Sequence, residues 1–190
     1  MKPTLTENDF IWAADKLGCE LAVIKAVAHV ESRKTGFLSD GSPKILFEGH
    51  IFHRLTDGKY SKREIYKDIS YPYWTRKYYG DGFDEYKRFK RAFELDPVAA
   101  IKSASWGKFQ IMGFNYNRAG FSTPEYFMYA MDTSERKHLE AFVDFIKSTG
   151  LSDELQRKDW QGFARGYNGP GYAKNRYDEK LKKAYKIYSQ

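Results

Sequence analysis

The chain has 190 residues, 42% of them hydrophobic and 17% aromatic, and a formal net charge of +7. That length suits one domain with a substantial core, and so much apolar and aromatic side chain excludes a disordered chain. A single cysteine, Cys19, excludes an intramolecular disulfide and fits folding in a reducing cytoplasm.

The N-terminus, "MKPTLTENDFIWAADKLG", has no apolar core of signal-peptide type, and no segment approaches the ~20 apolar residues of a membrane span. Thr6 with Asp9 predicts a capped helix start, and Gly18 a helix stop. A second helix is expected over residues 20–31, where Ile24, Val27 and Glu31 share one face by helical spacing. "RKTGFLSDGSP" reads as loop, with Asp40-Gly41 as a turn. Ile45, Leu46 and Phe47 suit a short strand, followed by a helix carrying Ile51, Phe52 and Leu55. The aromatic, glycine-punctuated residues 57–86 read as an irregular or weakly helical insertion.

Further on, Asp96-Pro97 and Thr123-Pro124 each place a capping residue before a proline at the first helical position. Helices follow in "PVAAIKSA" and "EYFMYAM". Asp132 with Glu135 reads as a capping pair before "ERKHLEAFVDFIKSTG", whose Leu139, Phe142, Val143 and Ile146 form an apolar stripe ended by Gly150. "DWQGFARGYNGPGY" carries a short helix into a glycine-rich turn. A last helix aligns Tyr177, Leu181, Ala184 or Tyr185, and Tyr188. With no repeat, low-complexity tract or linker, residues 1–190 are expected to form a single domain, mainly α with at most a small β element.

Chemistry concentrates in three places. Glu31 extends an apolar helix face; burial there would raise its pKa and keep the carboxyl protonated near neutrality, as a general acid requires. In "SASWGKFQIMGFNY", residues 103–116, the Gln110 amide can both donate and accept, which suits an N-acetyl group or a sugar hydroxyl, and Gly107 permits close approach of backbone. "ARGYNGPGY" sets Tyr167 and Asn168 before a rigid turn. Tyrosine abundance serves packing first, but it also suits stacking on sugar rings. Glu48, flanked by apolar residues in "ILFEGH", is the preferred second carboxylate, with Asp40 on its glycine turn as the alternative. His50 and His53, three apart beside Glu48, raise a metal reading. No further His or Cys pair completes a ligand set, so neither metal nor cofactor is expected.

"VES", "SWGKFQIMG" and "GYNGPGY", in this order, resemble the lysozyme-like glycosidases, including goose-type lysozymes and soluble lytic transglycosylases. The closer resemblance is to the N-acetylmuramidase family of bacteriophage endolysins. It extends through "GFLSDGSPKILFEGHIFHRL", "ERKHLEAFVDFIKSTGL" and "DWQGFARGYNGPGYAKNRYDEKLKKAY", covering roughly residues 10–188. The resemblance implies a lysozyme-like helical fold. It also implies an endolysin cutting the β-1,4 bond between N-acetylmuramic acid and N-acetylglucosamine in peptidoglycan; relatives can carry a separate wall-binding module, and a chain of 190 residues is expected to have no room for one.

On that resemblance Glu31 is the catalytic acid. Ser32, Trp106, Gln110, Met112, Tyr167 and Asn168 are the expected substrate-binding residues. The stereochemistry stays open, because carboxyls ~5–5.5 Å apart imply retention and ~6.5–9.5 Å inversion. Two alternatives stand beside hydrolysis: lytic transglycosylation giving 1,6-anhydromuramic acid, and a non-catalytic peptidoglycan-binding phage module.

The basic charge also fits nucleic acid or anionic membrane. Acids interleave with bases in "KRFKRAFELD", and no nucleic-acid motif is present, so no nucleic-acid partner is expected. The Lys content and tyrosine stripe of the basic C-terminal helix "EKLKKAYKIYSQ" raise contact with an anionic outer membrane as a further reading. A monomer is also expected, held in the host cytoplasm before release to the wall.

Overall fold

The structure is a computed structural model that describes residues 2–31 and 35–190. Helix α1 (Glu7–Leu17) begins as its sequence predicts: the Asp9 carboxylate accepts the Thr6 backbone N–H at 2.8 Å. It ends at Gly18, whose φ of 65° is the left-handed conformation of a helix stop. Helix α2 (Leu21–Glu31) buries Ile24 and Val27 completely. Across the following turn Leu38 N–H bonds Ser42 O at 2.8 Å, and the Asp40 carboxylate accepts the Ser42 N–H at 2.9 Å.

Strand β1 (Ile45–Phe47) leads into helix α3 (Gly49–Leu55). It is one edge of a three-stranded antiparallel sheet in the order β1-β2-β3, with β2 (Ala104–Trp106) and β3 (Ile111–Met112) forming a hairpin. Ile45 pairs with Trp106, Leu46 with Ser105, and Phe47 with Ala104. Ile45 and Phe47 are buried while Leu46 is only half-buried. The alternation gives the sheet one face in the core and one turned out.

Helices α4 (Gly82–Leu95), α5 (Pro97–Lys102) and α6 (Pro124–Thr133) surround the sheet hairpin in sequence. Helix α7 (Glu135–Ser148) carries the expected stripe, with Leu139, Phe142, Val143 and Ile146 in the core. Helices α8 (Ser152–Arg157), α9 (Trp160–Asn168) and α10 (Tyr177–Tyr188) complete the chain, with α10 packed against α2 and α9. The fold is mainly α with one small sheet, as expected. No helix among the described residues is long and apolar enough to cross a membrane.

Three local expectations need correction. The irregular segment stops at residue 81, where the Asp81 carboxylate accepts the N–H groups of Phe83 and Asp84 and starts α4. The glycine and many charges hid this helix, because its buried face includes the ion pair Glu85–Arg88 at 2.9 Å as well as Phe89 and Ala92. Helix α8 is too short for its apolar period to be read; Leu155 is its buried residue. The cap of α7 is Ser134, whose side chain accepts the Lys137 N–H, while Asp132 pairs with Lys2 at 3.0 Å. Glu135 turns inward instead, because backbone donors from two other segments need an acceptor there.

Candidate active site

Glu31 is the last residue of α2. It continues the face of Ile24 and Val27 but is half-buried, so its carboxyl emerges where the core ends. Two cavities meet there. One, of about 410 Å³, is lined by Glu31, Leu38, Lys44, Ile45, Gly82, Gly107 and Gln110. The other, of about 310 Å³, runs from Glu31 and Gln110 past Leu46, Ser105, Met112 and Asn115 to Tyr167, Asn168 and Tyr177. Together they form a groove over the sheet hairpin, with Glu31 and Gln110 at its middle.

Burial pushes the Glu31 carboxyl up to about 7. The Asn168 amide, donating to Oε1 at 3.3 Å, and the Lys180 charge both favour the ionised form without overcoming that shift. Asn168 Oδ1 is buried and has no hydrogen-bond partner. Turning that amide over would present an acceptor to a protonated carboxyl. The site is therefore furnished for the acid as well as its conjugate base.

Gln110 holds a left-handed backbone conformation, φ 49°, uncommon for a residue with a side chain. Its side chain explains the strain. Oε1 accepts the Ser105 hydroxyl at 2.8 Å, and Nε2 donates to Gly107 O at 2.8 Å. The amide thus locks the β2–β3 turn beneath the groove. Such strain persists where surrounding contacts over-determine the conformation, commonly at functional sites.

Beneath the turn lies a buried polar cluster. Glu135, 2% exposed, accepts the Gly36 N–H at 2.6 Å and the Leu5 N–H at 3.1 Å, with Lys108 Nζ at 3.4 Å. Burial works to raise the Glu135 pKa, but these donors and the Lys108 charge outweigh it and hold the carboxyl below its usual range. His138 Nδ1 accepts the Lys108 N–H at 3.0 Å, and its Nε2 lies 2.7 Å from Met131 O. Those partners assign a neutral ring with its proton on Nε2; burial lowers its pKa accordingly. Gly107, φ 70°, sits on that ring, where a Cβ would fall 2.9 Å from its atoms. The cluster ties Gly36 to the turn carrying Gln110.

The remaining expected residues separate into two groups. Gln110, Met112, Tyr167 and Asn168 line the groove with Glu31. Tyr167 offers its ring, since its hydroxyl donates to Phe109 O at 2.7 Å and burial holds the phenol protonated. Trp106 does not join them: 2% exposed, it packs edge-on to Phe89 and Phe127 and donates Nε1–H to Ile101 O at 3.1 Å. Sheet alternation turns it inward.

Neither Glu48 nor Asp40 lines either cavity. Glu48 Oε1 accepts the Tyr79 hydroxyl at 2.7 Å, and His50 Nδ1 lies 3.2 Å from Oε2 without hydrogen-bond alignment. Asp40 is exposed on its turn. Ser32 lies outside the described residues.

No group of three potential metal ligands forms among the described residues. Burial pushes the Cys19 thiol up to about 11, which leaves little thiolate at neutral pH. Sequence reading missed Ser105, Asn115 and Tyr177 in the groove. The first two lie inside the quoted "SASWGKFQIMGFNY" segment; the third heads the tyrosine stripe of α10, where a packing role masked it.

Known proteins resemble this chain in sequence and fold. The model of the N-acetylmuramidase family matches residues 20–189. The crystal structure of Burkholderia AP3 phage endolysin is similar, with 38% sequence identity and a TM-score of 0.88, over 98% of this chain and 71% of that one. No curated protein matches at a significant level.

Proposed function

The chain belongs to the N-acetylmuramidase family, and from that premise we propose that it cuts the β-1,4 bond between N-acetylmuramic acid and N-acetylglucosamine. Its coarser role, peptidoglycan degradation as a phage endolysin, follows from the family and from the similar endolysin structure. One observation carries the finer reading: the Glu31 carboxyl, raised to about 7 by burial, stands between two cavities lined largely by neutral amides, hydroxyls and apolar groups. A glycan strand laid across both cavities would bring a bridging oxygen to that carboxyl.

The reaction then proceeds on one residue. Neutral Glu31 gives its proton to the glycosidic oxygen as the C1–O bond of muramic acid breaks, and N-acetylglucosamine leaves with a free 4-hydroxyl. Positive charge develops at C1 and the ring oxygen. Water adds to C1, and its proton passes to the Glu31 carboxylate, restoring the acid.

The other capture route is also open. Among the described residues lining the two cavities, Glu31 alone carries a carboxylate. The muramic acid 6-hydroxyl can therefore take the place of water, losing its proton to Glu31 and giving a 1,6-anhydro ring.

Mass spectrometry of digested peptidoglycan tests these readings. Reducing muramic acid ends support hydrolysis and anhydro ends support transglycosylation. Reducing glucosamine ends overturn the proposed bond, and equal digestion by a Glu31→Gln variant overturns the acid. The exposed lysines of α10, Lys182, Lys183 and Lys186, support contact with anionic outer-membrane lipid. Absence of binding to anionic vesicles by the full chain would refute that contact.

A further inference from the structure

The loop of residues 70–81, between Ser70 and Asp81, combines tight anchorage with large exposed aromatic side chains. Tyr73 is 81% exposed and Trp74 61%, in water where burial of such rings is normally favourable. Yet the loop is not loosely attached.

At its start, Tyr71 is buried against α3. A Cβ on Gly49 would fall 2.4 Å from its ring, so only glycine lets the ring approach. Arg88 donates to the Tyr71 hydroxyl at 3.3 Å and to Asp68 O at 3.0 Å. At the loop's end, the buried Glu85 carboxylate accepts the Gly80 N–H through one oxygen and the Phe47 N–H of β1 through the other, each at 2.9 Å. The loop and the sheet edge are therefore clamped to the same carboxylate.

Between these anchors, Glu48 accepts the Tyr79 hydroxyl at 2.7 Å, and the Trp74 side chain meets that same hydroxyl. Glu48 follows β1. By strand alternation it lies on the outward face of Leu46, which lines the groove floor. At the loop's other end Gly82, the residue after Asp81, lines the cavity of about 410 Å³ together with Glu31. Arg76, two residues past Trp74, lies close enough to Tyr177 in the groove wall to act on its phenol electrostatically. The loop thus borders the groove that holds Glu31.

We propose that Trp74 is a stacking platform for an amino-sugar ring of the glycan strand as it leaves the Glu31 groove. Glu48 is a positioning residue that holds the indole through Tyr79. The inference rests on the peptidoglycan reading given above and extends it to a subsite outside the two cavities. It also gives Glu48 work that needs no contact with the reacting atoms. A flat indole matches the apolar face of a pyranose, and its energetic return comes from ring contact with little dependence on the sugar's substituents.

The test separates binding from cleavage. Full chain carrying Glu31→Gln is sedimented with purified peptidoglycan sacculi, alone and with Trp74→Ala or Trp74→Phe added. The platform predicts about a tenfold weaker association for Trp74→Ala and a loss of no more than about threefold for Trp74→Phe. In the chain that retains Glu31, Glu48→Ala and Tyr79→Phe should raise the half-saturating substrate concentration several-fold while kcat stays within about twofold, and Glu48→Gln, whose amide oxygen still accepts the Tyr79 hydroxyl, should stay near the parent in both.

Equal binding by the Trp74→Ala and parent proteins overturns the platform but leaves the peptidoglycan reading standing. Failure of the Glu31→Gln parent to sediment at all overturns both. A Glu48→Gln protein with kcat down by about a thousandfold at unchanged half-saturation would make Glu48 catalytic and refute its positioning role.

Discussion

Replacing Glu31 by Gln should stabilise the protein, and only at a pH where the native carboxyl is forced to ionise. The Glu31 pKa rises from 4.5 to about 7 because burial disfavours its charge. Each tenfold gain in proton affinity corresponds to about 1.4 kcal/mol. The sign follows from proton linkage: a group with a raised folded-state pKa contributes most below its unfolded value, and that contribution is lost as pH rises through the folded value.

For 4.5 and about 7, the cost of the native glutamate relative to a neutral isostere is near zero at pH 4 and roughly 1 kcal/mol at pH 5. It reaches a ceiling of about 3 kcal/mol at pH 8. The half-buried position allows solvent to relieve some of this, so about 2 kcal/mol is the expected difference at pH 8. Glutamine fits the same space and can donate to the unpartnered Asn168 Oδ1 if that amide turns. For a chain of this size the Glu31→Gln protein should melt roughly 4–8 °C higher than wild type at pH 8 and within about 3 °C of it at pH 5. Circular dichroism melts at the two pH values measure both. A constant difference, or a gain confined to acid, would refute desolvation as the source of the raised pKa.

The remaining expectations concern activity and the buried support of the groove. If Glu31 donates the proton, the rate of sacculus solubilisation should fall about tenfold for each pH step of one above pH 7. Asn168→Ala removes a bond that favours the ionised form, so it should lower the rate but carry that alkaline limb to higher pH; a limb moved downward would contradict the assignment. Glu135→Ala leaves the Gly36 and Leu5 N–H groups without their acceptor in the core and takes a buried carboxylate from beside Lys108, for a loss of about 3–5 kcal/mol in urea unfolding. A loss under about 1 kcal/mol would mean that the cluster is open to water. Gly107→Ala forces an alanine to φ 70° against the His138 ring, so a cost of at least about 2 kcal/mol is expected in the same assay; an unchanged midpoint would show that the turn can relax.

Much of the scaffold is written locally. Thr6, Gly18, Asp96-Pro97 and Thr123-Pro124 mark helix ends through hydrogen bonds spanning only a few residues, so they operate wherever they occur. The stripe of α7 is equally legible, since its period of 3.6 is a property of the segment alone. Helix α4 escapes because a buried Glu85–Arg88 pair looks polar in sequence until its partners on β1 and the loop are in place. Glu135 passes for a helix cap for the same reason: its ligands, the N–H groups of Gly36 and Leu5, come from distant segments.

The candidate acid follows the same division. Sequence determined that a carboxylate ends the apolar face of α2 and that Gln110, Tyr167 and Asn168 lie in motifs suited to a sugar. It also carried the resemblance that named the family. Only the tertiary structure decided that Trp106 faces the core, that Glu48 is bonded to Tyr79, and that Glu31 is desolvated enough to keep its proton near neutral pH. The physical reason is that a titration shift and a side chain's facing depend on what other segments place around the group, and these arrive from up to 137 residues away, as Asn168 does at Glu31.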